Sequence, residues 1–316
     1  MSTISSFEAD YATATEAVGL LDASERGKLA LTGAAAKEFL HGQVTQDISA
    51  LTPGHGCYAA FLTPKGKMLG DLRVLDATTE LLLDTERVAL QALFNMIRRY
   101  SVGYDVQLHK RTLECGLLSL IGPLADELIK RSGVTLGAAE HDHVTTELGG
   151  AAVRAIRTDA GVDLLFAADD TGTVRTALLD AGAAEIAEAT AEVLRIERGR
   201  PRYGVDLDDS VIPQEAGLNQ RAVSFTKGCY VGQETVARLY YRGKPNRQLQ
   251  GLSSAEPLGL GTELTLDDRV VGTVTSSAFS PRHGHIALAL VRREAPAGAI
   301  VRAGEHEAVV RELPFA

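Results

Sequence analysis

The chain has 316 residues, 45% of them hydrophobic, and a formal net charge of −9 from 32 basic and 41 acidic residues. That length and apolar content suit about two globular domains, and the acidic balance argues against a general nucleic-acid binder. No apolar run reaches the roughly 18 residues of a membrane span. The opening MSTISSFEAD has neither the basic lead nor the apolar core of a secretory signal. Three cysteines, Cys57, Cys115 and Cys229, are odd in number and widely spaced. They form neither a disulfide framework nor a Cys-x-x-Cys metal motif, so a cytoplasmic protein is expected.

In chain order, residues 34–50 read as a helix with Phe39 and Leu40 on its apolar face. GCYAAFL (56–62) reads as a strand, followed by a turn at Thr63-Pro64-Lys65-Gly66 with proline at its second position. Strands follow near 68–75 and 80–84. Leu90, Leu93, Phe94 and Ile97 then recur at i, i+3, i+4 and i+7, the spacing of a helix. YDVQLHK (104–110) and LLSLIG (117–122) read as strands, and Pro123 fits the first turn of another helix. Strands are expected again near 152–157 and 162–167, then a helix over 171–181 closed by Gly182. Hairpins with intervening helices predict an α+β build with mainly antiparallel sheets. Beyond about residue 245, QLQGL, TELTL, RVVGTVTS, HIALALV and AVVREL are spaced by turn residues with no helical period. A small all-β barrel or sandwich is expected there.

Gly-Cys-Tyr occurs twice, at 56–58 and 228–230. Cys57 runs into Ala-Ala-Phe-Leu and Cys115 precedes a run of leucines, settings in which a thiol behaves as a small hydrophobe. Cys229 differs. Gly228 and Gly232 loosen the backbone around it, Lys227 brings a cation, and Gln233 and Glu234 add polar groups. Two readings stand side by side: a reactive thiol favoured as thiolate by Lys227, or a cysteine packed under a glycine-rich turn that enters the helix GQETVARL. His141-Asp142-His143 and His283-Gly284-His285 are too few ligands for zinc and read as polar loops. PLGLG (257–261) lacks the strand-into-helix context of a dinucleotide loop. Arg238, Arg242, Lys244 and Arg247 form a basic cluster that suits a channel rim or a solvated face equally.

Lys227-Gly228-Cys229-Tyr230-Val231-Gly232-Gln233-Glu234 closely resembles the signature octapeptide of the YgfZ family, folate-binding relatives of the glycine-cleavage T-protein (GcvT). RIERGRPRYGVDLDDSVIPQEAGL (195–218) resembles the segment that precedes this signature. FLHGQVTQDI (39–48), AAFLTPKGKMLGDLRVL (59–75) and VGTVTSSAFSPRHGHIALALVRR (271–293) resemble further family motifs, so the likeness runs along nearly the whole chain. It implies a cloverleaf: two ferredoxin-like α+β portions around a central channel for tetrahydrofolate, plus a small C-terminal β-barrel. Residues 1–240 would form the folate-binding region and 241–316 the barrel.

The resemblance also implies site residues. Glu197 matches the glutamate that hydrogen-bonds the pteridine, and a carboxylate suits the paired N–H groups of an aminopyrimidinone edge. Tyr203 and Asp206 match positions lining the same region, and Lys65 and Lys67 could offer charge to the folate tail. T-proteins need an aspartate a few residues past the strand that reads LLLDT here. After Asp84 this chain continues Thr85-Glu86-Arg87 without one, leaving only Asp84 and Glu86 nearby. The implied function is tetrahydrofolate binding in support of iron–sulfur protein assembly or repair. Cys229 would be the working thiol, Lys227 its activator, and iron–sulfur client or assembly proteins the partners. The alternative is a folate-dependent aminomethyl or one-carbon transferase, so enzymatic activity stays open. A third possibility is a thiol enzyme that has lost folate.

Overall fold

The computed structural model describes residues 3–315; residues 1, 2 and 316, which the expected domain spans include, lie outside them. The elements run α1 (Thr3–Glu16), β1 (Gly19–Asp22), β2 (Gly27–Thr32), α2 (Ala36–Gln43), β3 (Gly56–Leu62), β4 (Met68–Asp76), β5 (Leu81–Thr85), α3 (Leu90–Tyr100) and β6 (Gln107–Lys110). Next come β7 (Cys115–Ile121), α4 (Ala125–Arg131), β8 (His143–Leu148), β9 (Ala151–Arg157), β10 (Gly161–Ala167), α5 (Thr171–Asp180) and β11 (Ala184–Glu185). The helices α6 (Glu188–Glu197), α7 (Asn219–Ala222) and α8 (Gln233–Arg242) lead into six strands. These are β12 (Arg247–Ser254), β13 (Glu263–Leu266), β14 (Arg269–Ser280), β15 (Gly284–Arg292), β16 (Ile300–Ala303) and β17 (His306–Arg311). The fold is mixed α+β with a closed C-terminal barrel, as expected.

Among the described residues, those up to Ala59 together with Asp71–Ala191 form one compact unit. It carries most of a five-stranded sheet in the order β3-β4-β5-β2-β6 and a six-stranded sheet in the order β11-β1-β7-β10-β9-β8. Pairing is antiparallel except at β1 and β11, which run parallel. The larger sheet buries Leu118, Leu120, Val153, Val162, Leu164 and Phe166 with Leu128 and Ile129 of α4 and Val174 and Leu178 of α5. This gives sheet and helices one shared core. On α3 the periodic residues Leu93, Met96 and Ile97 are buried, and Arg98 and Arg99 close the last turn, where a helix favours cations.

Ala60–Gly70, the tip of the β3–β4 hairpin, clusters with Glu192 onward in a second unit. Its barrel closes in the order β12-β15-β14-β13-β16-β17 and so leaves no open strand edge. Leu252, Leu264, Val274, Ala289, Val301 and Val310 fill the interior. A second apolar cluster joins Ile196 of α6 to Leu249, Ile286 and Leu288 of the barrel, with Leu313 and Phe315 packed on it. That contact sets where Glu197 lies.

Several elements differ from the sequence reading. The helix expected over 34–50 ends at Gln43, because Val44 turns extended and the chain then folds into tight turns at Asp47–Leu51. Pro123 precedes the N-cap Leu124 and so stands just outside α4. α1, β1, β2, β8 and β16 carry no strong periodic signal. β8 ends its sheet with half of its residues exposed, and HVTTEL has no apolar alternation to read.

Candidate functional site

The signature loop lies in the second unit and is shaped by two glycines. Gly232 adopts φ +84° at the N-cap of α8, a left-handed conformation that glycine takes without a steric penalty. A Cβ there would come within 2.6 Å of the Thr63 carbonyl oxygen, and one on Gly66 (φ +78°) within 2.8 Å of Thr235 Cβ. The turn of PKGK and the loop KGCYVGQE therefore touch backbone to backbone, which neither sequence segment alone discloses. Cys229 is exposed on this loop, not packed beneath the turn. Gly228 is exposed beside it, and Gln233 and Glu234 open α8, where a helix N-terminus favours the carboxylate.

Lys227 is buried, 8% exposed, and its Nζ lies 5.1 Å from the centroid of the Tyr230 ring, a cation–π arrangement. Tyr230 is itself buried, which pushes its hydroxyl up to about 12. The Lys227 ammonium, the cation of the loop, lies over the neighbouring Tyr230 ring. Phe225 stacks on Tyr240 of α8 at 3.7 Å between ring centroids, tying the start of the loop to the helix.

Glu197 closes α6 and is buried. Its Oε1 accepts the Ser280 hydroxyl at 2.6 Å, and its carbonyl accepts the Phe315 N–H at 2.9 Å. Ser280 also accepts the N–H groups of Arg282 and His283, both at 3.0 Å, so a tight turn after β14 orients the carboxylate. The sequence reading missed Ser280; FSPRHG announces a turn but not its target. Asp206 is buried and accepts from Arg195 at 2.6 Å, the Arg202 N–H at 3.0 Å, Thr275 at 2.6 Å and Ser276 at 2.7 Å. A ligand at this carboxylate would have to displace one of those protein donors. Tyr203 is half-buried and bridges to Leu207 in the same turn.

Lys65 is exposed. Lys67 donates to the Ser210 carbonyl at 2.6 Å and lies 3.9 Å from Glu215. Of the expected basic cluster, Arg238, Arg242 and Lys244 are exposed, whereas Arg247 bonds Glu215 at 3.2 Å and the Ser210 carbonyl at 2.9 Å. Cys57 and Cys115 lie half-buried on β3 and β7, and burial pushes the Cys115 thiol up.

In the first unit Asp84 is buried between two arginines, Arg26 Nε at 2.6 Å and Arg73 Nη2 at 2.5 Å. Burial would raise its carboxyl, but the two guanidinium groups outweigh that and hold it below the usual carboxylate range. Glu86 pairs with Arg26. Asp71, also buried, accepts the Tyr58 hydroxyl at 2.6 Å; burial pushes its carboxyl up to about 6 although Tyr58 opposes this. Its perturbation had no sequence signal, since GDLRVL reads as an ordinary strand. Asp142 bonds His55 at 2.7 Å, and Arg154 approaches His143 Nδ1 at 2.8 Å. Burial, helped by Arg154, lowers His143 to about 4. Among the described residues no cluster of three or more His, Cys, Asp or Glu is arranged to hold a metal ion. No helix among them is long and apolar enough to cross a membrane.

Comparison with known proteins places this geometry in a family. Residues 2–227 match the GCVT N-terminal domain, and residues 247–316 match the glycine cleavage T-protein C-terminal barrel domain. A protein of Arabidopsis thaliana named "Putative transferase At1g60990, chloroplastic" is 29% identical over 311 residues, 94% of this chain and 71% of that protein. The crystal structure of the glycine cleavage system aminomethyltransferase T from Bartonella henselae superposes with a TM-score of 0.87 at 23% identity. That match covers 98% of this chain and 89% of the other, and shows a common fold. With both domains matched in order, the chain belongs to the glycine cleavage T-protein (GcvT) family.

Proposed function

We propose that this chain is a YgfZ-like, cytoplasmic tetrahydrofolate-binding protein that supports assembly or repair of iron–sulfur proteins, with Cys229 as its working thiol. The observation that carries the reading is the exposed Cys229 on a loop held by the close approach of Gly66 and Gly232. A thiol that must react has to be accessible, and a loop pinned at two glycines keeps it so. Lys227 contributes positive charge to the loop from its seat on Tyr230.

The donor set fits a folate. Glu197 is a buried carboxylate already oriented by Ser280, the group required to accept two N–H bonds from an aminopyrimidinone edge. Tyr203 and Asp206 would line the same region, with Asp206 giving up a protein donor, and Lys65 and Lys67 would serve the acidic tail. When bound, tetrahydrofolate supplies a carrier for one-carbon units. Residues 1–240 would hold the folate and 241–316 the barrel.

Calorimetry with tetrahydrofolate on the wild type and Cys229→Ser tests both halves of the reading. Both proteins should bind alike, while Cys229→Ser should lose activity in cells toward iron–sulfur enzymes. A wild type that binds no tetrahydrofolate sinks the folate half; a fully active Cys229→Ser sinks the thiol half.

The match to the T-protein domains favours a second reading, aminomethyl transfer to folate. Against it stands the segment after Asp84, which offers no further aspartate, while Asp84 itself is committed to Arg26 and Arg73. Given aminomethylated lipoyl carrier and tetrahydrofolate, the protein should form no methylenetetrahydrofolate above background. Turnover at ordinary enzymatic rates would install the transferase in first place.

A further inference from the structure

Helix α8 lies at the surface of the second unit, and Val236 is its one buried residue. Arg238 and Arg242, one turn apart, are exposed on one face with Tyr241, and the exposed Lys244 follows the helix end. None of these three cations has an ion-pair partner among the described residues. Like charges at this spacing repel, so the two arginines stand together at a small cost that a bound anion would remove. Tyr240 and Tyr241, 49% and 66% exposed, meet edge to face at 5.0 Å between ring centroids, and Tyr240 stacks on Phe225. From Arg221 to Arg247 the chain carries six basic residues and one acidic, against a net charge of −9 for the whole.

Arginine and tyrosine dominate the binding energy of protein–protein interfaces, where rings supply contact area and guanidinium groups hold carboxylates in pairs. The thiol loop belongs to the same surface. Phe225 is fixed at Tyr240 and Gly232 at the start of α8, so the loop between them runs back along the helix. Cys229 stands four residues from Phe225 and therefore within about 14 Å of it. A protein that engages the exposed Cys229 meets α8 as well. The acidic remainder of the chain repels a long polyanion, whereas a short acidic stretch of a protein meets only the basic segment. We propose that the exposed face of α8 is the docking surface for an acidic segment of the protein that Cys229 engages, a partner taken from the reading of Cys229 as a working thiol.

The test uses two peptides of equal length, each with one cysteine activated as a mixed disulfide with thionitrobenzoate and flanked by either glutamates or lysines. The Cys229 thiolate attacks the peptide sulfur, a new S–S bond forms, thionitrobenzoate leaves as the anion, and the thiol proton goes to solvent. With Cys229→Ser as the background, the glutamate peptide should react roughly tenfold or more faster than the lysine peptide at low salt. The ratio should shrink at about 0.5 M salt. Arg238→Glu combined with Arg242→Glu, at two exposed positions, should invert it. Fluorescence anisotropy of a cysteine-free glutamate peptide reads docking without the thiol. The wild type and Cys229→Ser should bind it alike, and Tyr241→Ser about tenfold more weakly. Saturable binding beside a Cys229→Ser variant that is fully active in cells supports the surface and sinks only the thiol reading. Equal rates for the two peptides, no binding of the glutamate peptide, or an unchanged preference in the folded double variant overturns the docking surface. So does tighter binding of a single-stranded oligonucleotide of equal charge, or a wild-type dimer that the double variant dissolves, since either names another occupant.

Discussion

In the first unit Arg26, Arg73, the buried Asp84 and the half-buried Asp163 close on one another, each carboxylate meeting a guanidinium at 2.5–2.7 Å. In the second, Cys229 stands exposed on a pinned loop, and Gln214 keeps a buried oxygen without a partner. The difference separates two uses of polar groups. The network pairs each carboxylate with a guanidinium, although Arg73 Nε stays buried without a partner, and breaking it costs stability. Groups that stay accessible or unsatisfied cost something in the folded state and are candidates for chemistry or binding.

The sharpest way to break this comparison is to open the closed network. Arg73→Ala leaves one oxygen of the buried Asp84 and the half-buried Asp163 without their cation, and should cost about 3–5 kcal/mol in urea unfolding. A loss below about 1 kcal/mol would show that water already reaches these carboxylates. In the second unit Glu197→Ala should weaken tetrahydrofolate binding by about 1.5–3 kcal/mol, read by calorimetry on protein shown to be folded. Unchanged affinity removes Glu197 from the site.

Next in size is thiol reactivity. Cys229 should alkylate roughly tenfold or more faster than Cys115, whose thiol is pushed up by burial, with rates mapped by mass spectrometry on native protein. If Cys57 labels first, or Cys229 only after unfolding, the loop's thiol is packing and the proposed mechanism fails.

The smallest effect sharpens the picture of the first unit. Asp71 has a folded value of about 6 against an ordinary 3.8, so its protonated form is favoured by folding. Its contribution is fully present below the unfolded value and is lost as pH rises through about 6. Relative to Asp71→Asn, the wild type should therefore gain about 1 kcal/mol on going from roughly pH 7 to pH 5. A pH-independent difference between the two proteins would show that Asp71 is solvated.

Much of this was legible in the chain. GCYAAFL is the strand β3, Leu90 to Ile97 lie on the helix α3, and the Gly- and Pro-spaced segments after 245 close as a barrel. These follow from local periodicity, which folding does not need to override. The octapeptide likewise marked Cys229 by its flanking glycines. Other features exist only once distant segments meet. Gly66 and Gly232 are 166 positions apart yet limit each other's Cβ space; Ser280 orients Glu197 across 83 residues; Arg26 and Arg73 neutralise an Asp84 that reads as one more acidic residue. Lys227 stands two positions from the thiol in the sequence, and the fold adds that its ammonium lies over the Tyr230 ring. The sequence alone determined the strongly periodic elements and the run of barrel strands, and singled out the loop around Cys229. Tertiary structure decided which charges are satisfied, because desolvation and hydrogen bonding depend on what surrounds a group in space.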